Sequence, residues 1–442
     1  MIAESLKIIE LQDLLKQNLA IPNYQRPYRW TTESASILFN DLYSSFKNNV
    51  PEYRIGSVVL HEDEGKLFIV DGQQRLTTIS ILIYCFFQNT KNPDYEKLST
   101  LLFEKEMFGE LSFEAISSNN QIFDKKFKDV PDIEKDKFIK YVLTQCTFVR
   151  IVTNNEQEAF QFFDSQNSRG KPLAPHDLLK SYHLRAMFDE LETVKVKTVS
   201  DWENEDQKQL ALFFKNHLYP LGQYYTGGNG LYYSSKKIKT FKGISPKNKY
   251  HFSVYHKAAN LYIEHFNSEG MYELSSGEKV KQFQLTQPLI AGKRFFQYTL
   301  YYYDLYKKIL SLLDSNLDAF WMPTNGSGNT YIKNMFINIL IFFVDKFNAD
   351  ELTLARIKFF YKWAYSLRIV TYSVYPETVS KYCLGYHDRA NVGLNLFSYI
   401  HSTQTPEELD SIVLDSFSNE EYTKLKSDNQ KYFWNIINGE NF

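Results

Sequence analysis

The stretch that most constrains the fold is residues 53–87, YRIGSVVLHEDEGKLFIVDGQQRLTTISILIYCFF. Two runs rich in apolar and β-branched residues, 55–60 and 67–70, flank the turn sequence EDEG, and this pattern predicts a β-hairpin. The second run leads into Asp71-Gly72, where the glycine permits a sharp turn, and then into a strongly apolar segment of helical length. The stretch therefore predicts a small α/β unit.

Helical periodicity is also seen before this unit. Residues 4–19 have apolar side chains at helical spacing, and we expect a first helix there. Pro22 and Pro27 then favour an extended segment. The sequence TTES at 31–34 supplies N-cap candidates for a second helix. The apolar face of that second helix would consist of Ile37, Leu38, Leu42 and Phe46.

The rest of the chain is predicted to be mainly helical. From about residue 95 onward helical periodicity dominates, with a tight turn at Ser168-Arg169-Gly170 before a helix that begins at about Pro175. Residues 226–250, rich in Gly, Lys and Ser, predict a long surface loop. At 442 residues the chain is too long for one core, so we expect two or three domains. Aromatic residues make up 16% of the chain, which predicts an interior rich in rings.

Charge, cysteines and apolar runs indicate a cytoplasmic protein. The balance of 50 basic and 52 acidic residues argues against a surface coated with positive charge, although a local basic patch is compatible with it. Three separated cysteines without a CxxC pair cannot form a disulfide framework or a thiolate zinc site. The N-terminus lacks the features of a signal peptide. The longest apolar runs, of about nine residues, are too short to span a bilayer, so we expect no membrane partner.

Residues 68–78, FIVDGQQRLTT, form the strongest candidate for a site. A helix that begins after Gly72 offers backbone N–H groups and a positive dipole end to an anion such as phosphate. Arg75 adds a planar fork of donors for phosphate oxygens, and Asp71 could hold a divalent cation or position a water. The structural alternative is that Asp71 and Arg75 only cap the turn and pair with each other.

Three further segments carry groups that suit phosphate or nucleic acid. The segment IPNYQRPYRW at 21–30 could direct Arg26 and Tyr24 at a ligand, or serve as a local aromatic cluster. The sequence DSQNSRGKPL at 164–173 could form a second phosphate-facing loop, or a helix end stopped by glycine. The lysines and aromatic residues of 226–250 suit a nucleic-acid backbone, or are a solvated loop. The chain contains no HExxH, Walker-type or GxSxG motif.

Taken together, these motifs resemble the N-terminal domain of the GmrSD family of modification-dependent restriction systems. The resemblance is carried in order by IPNYQRPYRW, IGSVVL, FIVDGQQRLTT and FFDSQNSRGKPL, and DGQQR is its most specific element. It implies an α+β protein: a ParB/sulfiredoxin-like α/β domain over residues 1–185, and a large mainly helical domain over 186–442.

The resemblance also implies an anti-phage restriction component that binds and hydrolyses a nucleoside triphosphate with Mg²⁺. The implied catalytic residues are Asp71, Gln74 and Arg75, with Asp71 also as the metal ligand. The implied nucleotide-binding residues are Tyr24, Gln25, Arg26, Gly72, Gln73, Thr77, Asn167 and Arg169.

One departure from the family pattern leaves other functions open. Many family members carry or pair with an HNH-type nuclease domain, whose His-Ile-x-Pro-like motif and Leu-Gly-Asn-Leu segment are missing from this sequence. A separate nuclease partner and modified phage DNA are therefore implied partners. The alternatives are a DNA-binding or sensing module without catalysis, and a nuclease with an unrecognised site.

Overall fold

The structure is a computed structural model that describes residues 6–22, 25, 27–102, 110–155, 158, 174–187, 189–268, 279–315 and 326–438. The chain divides into two compact units. The first comprises Met1–Leu173 and Phe188–Asn204, and the second comprises Ala174–Met187 and Glu205–Phe442. The predicted domain boundary at 185/186 falls in the stretch where the chain passes from one unit to the other and back.

The secondary structure is as follows along the described chain. The strands are β1 (Leu6–Glu10), β2 (Leu19–Ala20), β3 (Tyr53–Asp63), β4 (Lys66–Asp71) and β5 (Cys146–Thr153). The α-helices are α1 (Leu11–Leu15), α2 (Thr32–Lys47), α3 (Gln73–Thr90), α4 (Pro93–Leu98), α5 (Glu110–Lys128), α6 (Asp132–Thr144), α7 (Pro175–Arg185), α8 (Glu192–Glu203), α9 (Gln207–Phe213), α10 (Tyr219–Tyr224), α11 (His251–Ser268), α12 (Lys293–Asp314), α13 (Ser327–Phe347), α14 (Leu354–Val370), α15 (Pro376–Cys383), α16 (Leu396–Ser402), α17 (Asn419–Tyr422) and α18 (Asp428–Asn438). A π-helix spans Phe214–Leu218, and 3₁₀-helices span Thr100–Leu102, Ser235–Phe241 and Pro406–Ser411.

The first unit is built on a mixed sheet with strand order β1-β5-β3-β4-β2. β3 pairs in parallel with β5, from Tyr53 opposite Cys146 to His61 opposite Thr153, and antiparallel with β4. Parallel neighbours need a crossover connection, and the chain passes through α3 to α6 between β4 and β5.

The predicted hairpin is confirmed as β3 and β4. Its turn is formed by Glu64 and Gly65, whose φ angles are 46° and 77°. Positive φ at both central residues is typical of a type I′ turn, whose twist matches that of the flanking strands. The hairpin holds the end of β4, and with it Asp71, beside β3.

Helix α3 is the central helix of the first unit. Apolar side chains are buried all around it: Leu76, Ile79, Ile81, Leu82, Ile83, Cys85 and Phe86. A helix that is apolar on every side is a buried one. The same core contains Val58 and Leu60 of β3 and Ile69 of β4, so the start of α3 is fixed against the sheet.

The expected first helix over residues 4–19 is wrong. Leu6–Glu10 is strand β1, and α1 spans only Leu11–Leu15. Two adjacent isoleucines, Ile8 and Ile9, favour a strand, and β1 pairs antiparallel with the distant β5. The local apolar spacing resembled a helix, but the long-range pairing determines the conformation.

Strand β5 also lies where helices were predicted to dominate. Its sequence CTFVRIVT is rich in β-branched residues, and it fills the position between β1 and β3 in the sheet. Helix α2 begins as predicted, because the Thr31 side chain accepts from Ser34 N at 3.3 Å. Its buried face differs from the predicted one: Ile37 is 55% exposed, whereas Ala35 and Phe39 are buried.

The second unit is helical, and its interior is rich in rings as the composition predicts. Tyr361, Trp363 and Tyr365 of α14 are fully buried. The Tyr365 ring stacks on Phe433 of α18 with centroids 4.5 Å apart. Together with the small sheet of the first unit, this confirms the α+β class. No helix in the described parts of the chain is long and apolar enough to cross a membrane.

His183 joins three segments of the second unit. Its Nε2 donates to Phe241 O at 2.9 Å, and its Nδ1 accepts from Gly292 N at 3.1 Å. The ring also stacks on Phe295 with centroids 3.8 Å apart. Both ring nitrogens are used by a neutral imidazole, and burial lowers the pKa of His183 to about 3.

Acid should therefore destabilise the second unit. The folded-state pKa of His183 lies below the unfolded value of about 6.5, so the unfolded chain binds more protons as the pH falls through 6.5. The contribution of His183 to the free energy of unfolding is present above that pH. About 2 kcal/mol of this contribution is lost between pH 7 and pH 5. Urea unfolding at the two pH values should show this fall.

The matched variants are His183→Gln and His251→Gln, since His251 is exposed. His183→Gln should lower stability at pH 7 and reduce the acid-dependent loss by about 2 kcal/mol, whereas His251→Gln should change neither. An undiminished acid-dependent loss in His183→Gln would contradict the assignment.

Candidate functional site

The site begins at the turn between β4 and α3. Asp71 is the last residue of β4, Gly72 has φ 95° and ψ 0°, and α3 begins at Gln73. A Cβ at Gly72 would lie 3.2 Å from Ser57 O, so both its conformation and its close approach to β3 favour glycine. The turn places the Asp71 carboxylate beside the first turn of the helix.

The first turn of α3 suits an anion. It contains no acidic residue. Leu76 N donates to Gly72 O at 2.9 Å, and this is one of the first backbone hydrogen bonds of the helix. The N–H groups before it lie at the positive end of the helix dipole. This end of α3 therefore has the polarity that binds phosphate oxygens.

Asp71 and Arg75 lie one helical turn apart and are loosely paired. Arg75 Nη2 is 3.9 Å from Asp71 Oδ2, beyond hydrogen-bonding distance. The Arg75 side chain is 29% exposed and that of Asp71 is 21% exposed, so both can be reached from solvent. A guanidinium held near a carboxylate at this distance keeps donors in position for phosphate oxygens.

Gly56 allows Arg75 to lie against the sheet. A Cβ at Gly56 would come within 1.8 Å of Arg75 Nη1 and 3.1 Å of Arg75 Cζ. The β3–β5 register shifts between Arg54 and Gly56, so the glycine lies at an irregularity of the strand. Gly56 was not among the predicted site residues, although a glycine inside a strand pattern is a known signal of close approach.

Gln74 connects this corner to the segment 21–30. Its side chain is buried, its Oε1 accepts from Arg29 N at 2.9 Å, and its Nε2 donates to Pro27 O at 3.2 Å. Nε2 also lies 3.2 Å from Gln73 Oε1. These bonds occupy the amide, so the geometry gives Gln74 a positioning role.

Gln25, in the middle of the same segment, bonds the end of β4. Its Nε2 donates to Ile69 O at 3.0 Å and to Val70 O at 2.9 Å, at the end of β4. Gln25, which belongs to the segment, and Gln74, which belongs to α3, thus hold the segment against the β4–α3 corner. Tyr24 and Arg26, which the sequence predicted to face a ligand, lie outside the described residues.

Tyr28 anchors the segment in the core. Its fully buried hydroxyl lies 2.8 Å from Thr78 Oγ1 and accepts from Asn119 Nδ2 at 2.7 Å. Burial raises the pKa of Tyr28 to about 12, so the phenol is neutral at physiological pH. Arg29 donates to Glu203 O at 2.9 Å, which ties the segment to α8.

The remaining predicted residues divide into two groups. Thr77 is fully buried in α3, and its hydroxyl finds no hydrogen-bond partner among the described residues. Asn167 and Arg169 lie outside the described residues, so the predicted third wall of the site stays a prediction. The structure brings together Gln25, Asp71, Gly72, Gln73, Gln74 and Arg75.

The donor set at the corner fits a metal ion that arrives with its ligand. Among the described residues, no three or more His, Cys, Asp or Glu side chains are grouped to hold a metal ion. Asp71 offers a single partly exposed carboxylate. Mg²⁺ is commonly bound through one or two carboxylates together with substrate phosphates, and this arrangement is compatible with Asp71.

The lysine-rich stretch 226–250 contains the 3₁₀-helix Ser235–Phe241 between irregular segments. Two of its aromatic rings face inward: Phe241 is buried, and Tyr233 stacks on Phe214. Lys237 donates to Leu231 O at 2.6 Å. The exposed basic residues are Lys236, Lys239, Lys247 and Lys249.

Two families match the chain. Residues 9–184 match the family described as GmrSD restriction endonuclease, N-terminal domain, which confirms the resemblance drawn from the motifs. Residues 194–430 match a family of unknown function (DUF7834). No curated protein matches the chain. The first match includes Gly56 and the whole β4–α3 corner, and the second includes the lysine-rich stretch.

Proposed function

Because the chain belongs to the family of unknown function (DUF7834), which matches more than half of it, and carries the N-terminal domain of GmrSD restriction endonucleases, we propose that it is a nucleotide-dependent restriction-system component. The β4–α3 corner would bind and hydrolyse a nucleoside triphosphate. The observation that carries this proposal is the 3.9 Å pair of Arg75 and Asp71 at a helix start that has no acidic residue in its first turn.

The corner offers the groups that phosphoryl transfer requires. The N–H groups of α3 and the Arg75 guanidinium would neutralise phosphate oxygens, which is where charge accumulates during the reaction. Asp71 would hold Mg²⁺ or orient the attacking water. Bound Mg²⁺ would supply further neutralisation of phosphate charge. Gln74 and Gln25 would keep the segment that contains Tyr24 and Arg26 beside the phosphates.

The hydrolysis would regulate restriction of DNA by a separate partner. The chain lacks the HNH-type motifs that the sequence resemblance leads one to expect, so cleavage would belong to another subunit, such as an HNH-type nuclease. Modified phage DNA would be the target of the system.

Turnover of nucleoside triphosphates tests this site. Purified protein with Mg²⁺ should hydrolyse at least one of ATP, GTP, CTP and UTP. Asp71→Asn and Arg75→Ala should each lower the turnover rate by about 100-fold or more. Arg75→Ala removes a positive charge that neutralises the phosphates, and Asp71→Asn removes the carboxylate that would hold Mg²⁺ or orient the attacking water. Phosphate release is the measurement.

The matched control is Arg54→Ala, since Arg54 lies on β3 and its 44% exposed side chain pairs with Glu52. It should retain wild-type turnover. Thermal unfolding of all three variants verifies that they fold. Wild-type turnover in both Asp71→Asn and Arg75→Ala would overturn the assignment of the site.

A second function is favoured by one observation in the second unit. Residues 207–263 contain nine lysines and no aspartate or glutamate, although the whole chain has a net charge of −2. Such a local excess of positive charge suits the phosphate backbone of DNA. A DNA-binding role would operate through this stretch and would not require Asp71.

Salt-dependent DNA binding tests this second function. The double variant Lys236→Gln/Lys239→Gln should weaken binding and reduce the slope of log affinity against log salt by up to about 2, because each phosphate contact contributes about 0.9. Fluorescence anisotropy with a duplex and a single strand is the measurement.

The control pair is Lys424→Gln/Lys426→Gln, which removes the same charge from exposed positions elsewhere in the unit. It should leave the slope unchanged, as should Asp71→Asn. Equal losses in the two lysine pairs would show a nonspecific effect of net charge and would contradict a dedicated surface.

A further inference from the structure

The second unit contains a cavity of about 220 Å³ whose lining combines aromatic rings with amides. The rings are those of Tyr224, Tyr232 and Tyr331, and the amides are those of Asn216, Asn334 and Asn338. Ligand pockets for drug-sized molecules usually have about 300–1,000 Å³, so this volume suits a single ring system. The cavity lies within the second unit and is independent of the β4–α3 corner.

One wall of the cavity is a face of α13. Tyr331, Asn334 and Asn338 are spaced three and four residues apart, which places them on one side of the helix. Asn338 is committed to the fold: its Oδ1 accepts from His217 Nδ1 at 2.8 Å, and its Nδ2 donates to Asn216 O at 3.0 Å. The side-chain amides of Asn216 and Asn334 have no hydrogen-bond partner among the described residues and are available to a ligand.

A second part of the lining is the π-helix Phe214–Leu218, which supplies Lys215 and Asn216. π-helical turns inside α-helical segments are rare and occur frequently at functional sites. Within this turn the buried His217 bonds Asn338 of α13. Burial lowers the pKa of His217 to about 4, so the ring is neutral and donates from Nδ1.

The rim of the cavity is built with a strained residue. Tyr232 has φ 57°, a left-handed conformation that a bulky side chain rarely adopts, and its side chain is 63% exposed. Gly230, two residues earlier, packs closely against α10. A Cβ on Gly230 would lie 2.7 Å from the Tyr224 ring and 2.9 Å from Pro220 Cα. Strain of this kind persists where the surrounding structure enforces it, and it is common at binding sites.

The cavity also lies next to positive charge. Lys215, Gly230, Leu231 and Tyr232 belong to the stretch 207–263, which has nine lysines and no acidic residue. Lys215 itself is exposed. A ligand that is planar and hydrogen-bonding at one end and anionic at the other matches this arrangement.

We propose that this cavity binds a nucleobase that carries a phosphate, with the ring against the tyrosines, its edge on the Asn216 and Asn334 amides, and its phosphate towards Lys215. Asparagine amides offer the donor and acceptor pair that base edges recognise, and tyrosine rings stack on bases of any sequence. The base can come from a DNA strand, from which it would be taken out of the stack, or from a free nucleotide.

The experiment measures binding of fluorescent twelve-nucleotide single strands to the full chain with the Arg75→Ala substitution, which removes binding at the β4–α3 corner from the signal. One strand carries bases throughout, and its control has abasic sites at the central positions and the same number of phosphates. The base-bearing strand should bind at least about 5-fold more tightly. The four deoxynucleoside monophosphates are titrated in parallel.

Tyr232→Ala and Asn334→Ala should each weaken binding of the base-bearing strand by roughly 10-fold and leave binding of the abasic strand unchanged. Tyr372→Ala is the matched control, because Tyr372 is 62% exposed in the same unit and does not line the cavity. Thermal unfolding verifies that each variant folds.

Three outcomes decide the proposal. Preference for the base-bearing strand without binding of monophosphates supports a base from DNA. Monophosphate binding that Tyr232→Ala and Asn334→Ala weaken supports a free nucleotide. Equal affinity for the two strands together with no monophosphate binding, or wild-type binding in both cavity variants, overturns the proposal.

Discussion

The left-handed turn at Gly72 is the constraint on which the first unit depends. It ends β4 and begins α3 within one residue, so Asp71 and Arg75 lie one helical turn apart with Oδ2 and Nη2 separated by 3.9 Å. The same turn places Gln74 where its amide bonds the backbone at Pro27 and Arg29. A side chain at this position would approach the β3 backbone and would strain the turn. One glycine thus determines the geometry of the proposed anion site and the attachment of the segment beside it.

The sequence predicts the features that depend on local signals. The hairpin turn, the glycine turn after Asp71 and the N-cap Thr31 each rest on a few neighbouring residues, and each is confirmed. Features that depend on distant partners could not be read from local patterns. Residues 6–10 form a strand because β5 pairs with them, and Gln74 binds the backbone of a segment far back in the chain. The close approach of Arg75 to Gly56 likewise joins two elements that no local pattern relates.

We propose two kinds of site, one in each unit, and they rest on different physical interactions. The corner in the first unit combines helix-dipole charge with one guanidinium and one carboxylate, which suits a polyphosphate. The cavity in the second unit combines rings and amides beside a stretch of nine lysines without acids, which suits a base on a charged backbone. A restriction-system component that links nucleotide turnover to DNA would use both.

The central claim is that Arg75, held over Gly56, binds the phosphates of a nucleotide. A double-mutant cycle on nucleotide affinity, measured by calorimetry for the triphosphate that is turned over fastest, tests it most directly. Gly56→Ala would displace the guanidinium, so it should weaken binding by about 10-fold or more, as Arg75→Ala does. The double variant should then bind no more weakly than Arg75→Ala alone. Wild-type affinity in Gly56→Ala, or effects that simply add, would contradict the account.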